Sequence, residues 1–262
     1  MTAQPLLGHH ALVTGAGTGI GNAIATSLHQ AGARVTLAGR REAPLTALRE
    51  ELEGGRCFVA SGFDVTSPTA ISAGLQAARA VFGPFSIIIN NAGEAPSAPF
   101  AETSLDLWRH VQDVNLTGCF NVIQAALPDL LARGAGARII NIASTAGVKA
   151  YAYVAAYVAA KHGVIGLTRA LALELARSGV TVNAVCPGFT DTPLLDNAAR
   201  TISAKTGRTA DEARALLAHA NPQGRLVQTE DVANVVLWLT GIGCGAVTGQ
   251  AIMVAGGEVM AG

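Results

Sequence analysis

The sequence predicts an α/β protein, a single domain built on one doubly wound parallel sheet of about seven strands with helices on both faces. Three observations carry that expectation. Short apolar runs alternate with longer helical patterns along nearly all of the 262 residues, and strict alternation of strand and helix yields a parallel sheet. The chain is 50% hydrophobic and 14% charged, with a mean hydropathy of +0.38, which suits strands covered on both faces. The first apolar run passes straight into a glycine-rich turn and then a helix.

Residues 10–14 are the first strand, and Gly15-Ala-Gly17-Thr-Gly19-Ile-Gly21 leads into a helix ending near Ala31. Glycines in such a turn permit positive φ and close backbone approach. A helix N-terminus placed there can hold a pyrophosphate, so Gly15, Thr18, Gly19, Ile20 and Gly21 are candidate contacts. The second strand, residues 34–38, ends at Gly39-Arg40-Arg41. An acidic residue at that tip would grip the ribose 2′-hydroxyl of NAD. Arginine instead matches a 2′-phosphate by charge and fork geometry. NADP is therefore the favoured cofactor; with NAD, Arg40 and Arg41 would merely begin a solvated helix over residues 43–53.

Strand three, residues 57–60, precedes Asp64, and Ser67-Pro68 caps and opens a helix to about Phe82. Strand four, residues 86–90, runs into Asn90-Asn91-Ala92-Gly93. Ser104 caps a long helix through Asn115 to about Leu131. Strand five covers residues 138–143, a helix runs from 155 to about 177, and strand six covers residues 180–185 before Cys186-Pro187-Gly188-Phe189-Thr190. Thr229 starts the last helix, and Ala251–Val254 is the last strand. Residues 191–228 break this rhythm as two helical pieces, with breaks at Thr206-Gly207 and Asn221-Pro222. Open α/β sheets bind ligands beyond the carboxyl ends of their strands, so this insertion is expected to be a substrate lid. The alternative is a plain surface pair of helices.

Tyr157-Val-Ala-Ala-Lys161 has the spacing that stacks two side chains on one helix face. A free phenol titrates near ~10, a neighbouring cation favours its charged form, and a tyrosine so tuned can act as general acid or base. Ser144, thirteen residues before Tyr157 at a strand end, can hydrogen-bond an oxygen held in front of it. Taken alone, such a pair is usually a packed ring beside a solvated charge.

Formal net charge is zero, so neither nucleic acid nor an anionic membrane is an expected partner. Apolar stretches end before the ~20 residues of a membrane span. The first ten residues lack the basic and long apolar regions of a targeting signal, and a cytoplasmic protein is expected. Cys57, Cys119, Cys186 and Cys244 show no Cys-x-x-Cys pair and read as buried free thiols. The histidines have no metal-ligand spacing, so no metal is expected, and His9-His10 reads as a surface pair.

On these motifs the chain resembles the short-chain dehydrogenase/reductase family over residues 10–257. Thr14-Gly15-x-x-x-Gly19-x-Gly21 resembles its cofactor motif, Asn90-Asn91-Ala92-Gly93 its motif after strand four, and Pro187-Gly188 its motif after strand six. Asn115, Ser144, Tyr157 and Lys161 match its catalytic tetrad. The resemblance implies a Rossmann-type fold and interconversion of a ketone and a secondary alcohol by hydride transfer with NAD(P). It implies that Tyr157 exchanges the proton with the substrate oxygen and that Ser144 hydrogen-bonds that oxygen. Lys161 would tune Tyr157 and hold the nicotinamide ribose, and Asn115 would support Lys161 through a water-linked relay. Asp64 and Val65 would border the adenine, Asn91 would lie near the adenosine ribose, Thr190 would contact the nicotinamide carboxamide, and Ala92, Gly93, Pro187 and Gly188 would also bind the cofactor. Tyr151 and Tyr153 lack a lysine at the required spacing and read as pocket wall or packing.

Residues 157–164 and 222–227 resemble enzymes of 3-hydroxy acids and 3-oxoacyl thioesters. The lid length resembles 3-hydroxybutyrate dehydrogenases and polyketide-type ketoreductases. A 3-oxoacyl/3-hydroxyacyl thioester or acid is therefore the expected substrate; the alternatives are a cyclic or aryl ketone and a catalytically silent dinucleotide binder. Lys149, Arg200 or Arg208 would supply a cation near the lid. The family habit of pairing its long helices implies a homotetramer, or else a dimer, here through residues 104–131 and 155–177.

Overall fold

The computed structural model describes residues 4–53 and 55–260. The chain runs β1 (His10–Thr14), α1 (Gly19–Gln30), β2 (Arg34–Gly39), α2 (Glu42–Glu51), β3 (Cys57–Ser61), α3 (Pro68–Phe82) and β4 (Ile87–Asn90). It continues through α4 (Leu105–Gln112), α5 (Gly118–Arg133), β5 (Arg138–Ile142), α6 (Ala155–Leu175) and β6 (Thr181–Pro187). Then come α7 (Pro193–Thr206), α8 (Ala210–His219), α9 (Thr229–Thr240) and β7 (Ala251–Val254). The strands pair in the order β3-β2-β1-β4-β5-β6-β7, every pair parallel. The chain winds outward from β1 to β3, then returns to β4 on the other side. That reversal opens a crevice beyond the carboxyl ends of β1 and β4, where such sheets bind ligands.

Alternate side chains of each strand enter opposite cores. Val13, Leu37 and Ile89 pack with Ile24, Leu28 and Val236 under α1 and α9, whereas Leu12, Ile88 and Val182 pack with Leu75, Val122 and Leu130 under α3 and α5. Both faces are therefore dry, which is why the strands read as uninterrupted apolar runs. The helices begin where the sequence marks them. Ser67 accepts the amide of Ala70 and Pro68 opens α3, Thr192 caps α7 before Pro193, and Thr209 with Glu212 forms a capping box on α8.

Two expectations change. The helix expected over residues 104–131 starts after Ser104 but contains a π-helical turn, Asp113–Thr117, joining α4 to α5. Such a turn inserts one residue and is frequent at functional positions; here it holds Asn115, fully buried. His9-His10 is not a surface pair. His10 is 2% exposed, its ring stacked 4.0 Å from that of Phe85. Its Nδ1 lies 2.8 Å from the Gly83 carbonyl and its Nε2 2.8 Å from the Thr36 hydroxyl. A carbonyl can only accept, so Nδ1–H donates to Gly83 and Nε2 accepts from Thr36. All four cysteines are buried free thiols. Among the described residues no helix is long and apolar enough to cross a membrane.

Candidate active site

The loops at the carboxyl ends of the strands enclose a cleft of about 930 Å³. Its floor is the turn between β1 and α1. Gly15 and Gly19 have φ of +67° and +56°, and a Cβ on Gly21 would collide with the Gly15 carbonyl and the Asn91 amide. Thr18, at the N-cap of α1, places no side-chain bond on the first helical turn. Those amides are left to face an anion. Thr14 Oγ1 accepts the amides of Asn91 and Ala92 at 2.9 and 3.0 Å, and Asn91 Nδ2 donates to the Thr14 carbonyl at 2.9 Å. The ends of β1 and β4 are thus held together, and the glycine cradle fits a dinucleotide pyrophosphate.

At one end of the cleft stand Arg40, Arg41, Asp64 and Val65. Asp64 Oδ1 accepts both the amide and the hydroxyl of Thr66, and these bonds hold its carboxyl below the usual range. Arg40 Nη2 donates to Glu94 Oε1 at 2.8 Å, while His110 Nε2 lies 3.0 Å from Glu94 Oε2. The His110 bond, followed by that of Arg40, lowers the Glu94 pKa despite its partial burial.

Midway along the cleft, α6 presents Tyr157 and Lys161 one turn apart. Lys161 is 4% exposed; its Nζ donates to the Ile142 carbonyl at 2.8 Å and lies 5.5 Å from the Tyr157 ring centroid. The π-helical turn aims Asn115 at the loop after β4. Asn115 Nδ2 donates to the carbonyls of Glu94 (2.9 Å) and Val111 (3.0 Å), and Oδ1 accepts the Glu94 amide at 3.3 Å. A Cβ on Gly93 would lie 2.7 Å from Asn115 Oδ1 and 3.7 Å from Lys161 Nζ. Gly93, Asn115 and Lys161 therefore converge on one point. Ser144, just past β5, accepts the Ala146 amide at 3.0 Å, which leaves its own O–H to donate.

The far wall carries Tyr151, whose ring meets Phe189 edge to face at 5.6 Å. Its phenol donates to Glu258 Oε1 at 2.6 Å and shares a hydrogen bond with Thr145 Oγ1 at 2.8 Å. Beyond it, Leu194, Leu195, Ala198 and Ile202 of α7 and Leu217 of α8 cover the cleft. The cation they bring is Lys205. Lys149 is instead paired with Glu258 at 3.1 Å, and neither Arg200 nor Arg208 lines the cleft.

Gly15, Thr18, Gly19, Ile20, Arg40, Arg41, Asp64, Val65, Asn91, Ala92, Gly93, Asn115, Ser144, Tyr157, Lys161, Pro187, Gly188 and Thr190 all line this one cleft. Gly21 lies beneath Gly15 instead. Tyr151 is wall, as expected. Tyr153 is 64% exposed, with φ +67°, and its carbonyl accepts the Ala98 amide at 2.8 Å. Glu94 and Glu258 belong to no motif and are added by the structure.

The short chain dehydrogenase family model matches residues 9–203. The chain belongs to this family. This short-chain dehydrogenase is 44% identical over 250 residues to a putative ketoacyl reductase of Streptomyces coelicolor, spanning 94% of this chain and 95% of that protein. It is 36% identical over 256 residues to D-beta-hydroxybutyrate dehydrogenase of Rhizobium meliloti, spanning 94% and 97%. Its fold matches the crystal structure of an actinorhodin polyketide ketoreductase variant with NADPH at a TM-score of 0.92 and 41% identity, over 98% of this chain and 99% of that one. The short-chain dehydrogenase described here is an NAD(P)-dependent oxidoreductase that interconverts a ketone and a secondary alcohol.

Proposed function

We propose that this enzyme is an NADPH-preferring ketoreductase of a 3-oxoacyl thioester or acid, yielding the 3-hydroxyacyl product. The observation that carries the reading is the continuity of the cleft. It runs from Arg40 and Arg41, past Tyr157 and Lys161, into an apolar passage under α7 and α8 with Lys205 on the lid. An acyl chain suits that passage, and Lys205 suits the carboxylate or phosphate at its end.

When bound, the nicotinamide supplies or accepts the hydride; the chain supplies position and the proton. Tyr157 donates its phenol proton to the carbonyl oxygen in reduction and takes it from the alcohol in oxidation. Ser144 donates its free O–H to that oxygen, a preorganised contact for developing negative charge. Lys161, beside the ring, stabilises the charge left on the Tyr157 oxygen and holds the nicotinamide ribose. Asn115 fixes the loop of Gly93 and Glu94 against Lys161. Gly15, Thr18, Gly19 and Ile20 hold the pyrophosphate over Gly21. Asp64, Val65, Asn91, Ala92 and Gly93 hold the adenosine; Pro187, Gly188 and Thr190 hold the carboxamide.

The whole chain acts as one catalytic domain, with residues 191–228 as its lid. Phe120 and Leu131 on α5 and Leu173 on α6 are 46%, 46% and 83% exposed, which supports assembly into a homotetramer through these helices. Four buried free thiols accord with a reducing, cytoplasmic setting.

The test follows NADPH and NADH oxidation with acetoacetyl-CoA, acetoacetate and a simple aryl ketone. Faster turnover of the thioester with NADPH is expected. Turnover of the aryl ketone alone would favour a second reading, a cyclic or aryl ketone reductase, which the apolar lid walls also accommodate. Coenzyme binding without any turnover would overturn catalysis on these substrates.

A further inference from the structure

We propose that Glu94 tunes how strongly this cleft distinguishes NADPH from NADH, by competing with the coenzyme's 2′-phosphate for Arg40. The inference rests on reading the tip of β2 as the 2′-phosphate site. Arg40 leaves the sheet after β2 and Glu94 after β4, the two strands that flank β1. Their 2.8 Å ion pair joins the two sides of the adenosine end of the cleft.

The two partners are held very differently. Both backbone groups of Glu94 are bonded to the buried Asn115 side chain, the amide at 3.3 Å and the carbonyl at 2.9 Å. His110, at 3.0 Å, orients the second carboxylate oxygen. The Arg40 side chain is 63% exposed and makes no other side-chain hydrogen bond among the described residues. Arg40 therefore comes to Glu94, and a 2′-phosphate must draw it away or share it. A phosphate would meet two carboxylates there as well, Glu94 and Asp64, which both line this end. Arg41 makes no ion pair among the described residues, so it is the cation left for the phosphate. An NADH ribose carries only neutral hydroxyls at that position, and it does not compete for Arg40. Glu94 thus penalises NADPH and leaves NADH nearly untouched. An ion pair this exposed is weak, so the expected selectivity change is modest, about two- to fivefold.

The experiment isolates the 2′-phosphate by titrating 2′,5′-ADP and 5′-AMP calorimetrically at low salt. The proteins are the wild type, Glu94→Gln, Arg40→Ala, Arg41→Ala and the Arg40→Ala/Glu94→Gln double variant. Glu94→Gln is expected to tighten 2′,5′-ADP about two- to fivefold and to move 5′-AMP by less than about 1.5-fold. In the Arg40→Ala background that gain should fall below about 1.5-fold, since the competition has lost its object. Parallel changes for both ligands would overturn the proposal and leave the Glu94 carboxylate a structural partner of His110. A wild type that prefers 2′,5′-ADP while Glu94→Gln is inert would overturn the role of Glu94 alone. If neither wild type nor Glu94→Gln prefers 2′,5′-ADP and both arginine variants are inert, the coenzyme reading itself falls.

Discussion

Tyr151 donates its phenol proton to Glu258 over 2.6 Å and so ties the loop after β5 to the segment after β7. The Glu258 side chain is 2% exposed and also accepts from Lys149 at 3.1 Å. Its other oxygen lies 3.0 Å from where a Cβ on Gly188 would sit. Burial first, and then the bond to Glu258, hold the Tyr151 pKa well above the ordinary phenol value. Tyr151 is therefore a neutral, fixed wall, hydrogen-bonded to the neighbour of Ser144.

Glu258→Ala is expected to cost about 1 kcal/mol, because a half-buried phenol O–H loses its charged acceptor and keeps only the Thr145 hydroxyl. Tyr151→Phe should cost less, since Lys149 still pairs with the carboxylate. Urea unfolding measures both, and an unchanged midpoint for Glu258→Ala would show that the network does not form. Each variant should raise KM more than it lowers kcat, since the wall shapes the pocket and moves no proton.

Tyr157→Phe removes the only phenol that stands one turn from Lys161 on α6. General acid–base catalysis contributes about 10²–10⁴-fold, and kcat should fall by that factor while coenzyme affinity stays within about twofold. Single-turnover rates and coenzyme fluorescence titration separate the two. A variant that keeps its rate would place the proton on another group.

Features that depend on local spacing are legible in the sequence. The turn from Gly15 to Gly21 declares itself because glycine takes φ of +67° and +56° at little cost, and because Gly21, lacking a Cβ, leaves room beneath Gly15. Tyr157 and Lys161 declare themselves because four residues make one helical turn. Features made by distant segments are not. Glu258 stands 107 positions from Tyr151 and Glu94 54 positions from Arg40, and no local pattern announces either pair. His10 resembled half of an exposed pair because its stacking partner, Phe85, belongs to the approach to β4. The π-helical turn is written in ordinary helix-forming residues, and the reach of Asn115 to Glu94 appears only when the loop after β4 is in place. Choosing Lys205 over Arg200 likewise required the face that α7 turns toward the cleft.

Burial of His10 gives stability a defined acid dependence. Burial pushes its imidazole down to about 4, whereas an unfolded histidine takes its proton near ~6.5. Between those values the unfolded chain binds the extra proton, so stability is full above ~6.5 and falls as pH drops toward about 4. The loss is on the order of 3 kcal/mol. His9 and His29, lowered mainly by burial, add to the slope in the same direction. Urea midpoints at pH 7.5 and 5 should differ accordingly, and His10→Gln should flatten the difference. Equal wild-type midpoints would mean that His10 takes its proton as readily in the folded protein as in the unfolded chain.

Gly93→Ala tests the convergence of Gly93, Asn115 and Lys161 and the catalytic role proposed for it. The added methyl would sit 2.7 Å from Asn115 Oδ1 and 3.7 Å from Lys161 Nζ. Asn115 is fully buried and bonded to Val111 and Glu94, so it cannot swing aside as the end of a flexible chain could. The loop after β4 must move outward instead, which strains the two Glu94–Asn115 bonds and shifts the surroundings of Lys161. Overpacking of this kind costs about 1–3 kcal/mol. A displacement near 1 Å beside the reacting groups can cost on the order of 10²-fold in rate, so kcat should fall far more than stability does. The measurement pairs kcat with the urea midpoint of the same preparation. A folded variant with full kcat would show that the position of Asn115 relative to Lys161 does not govern proton transfer at Tyr157.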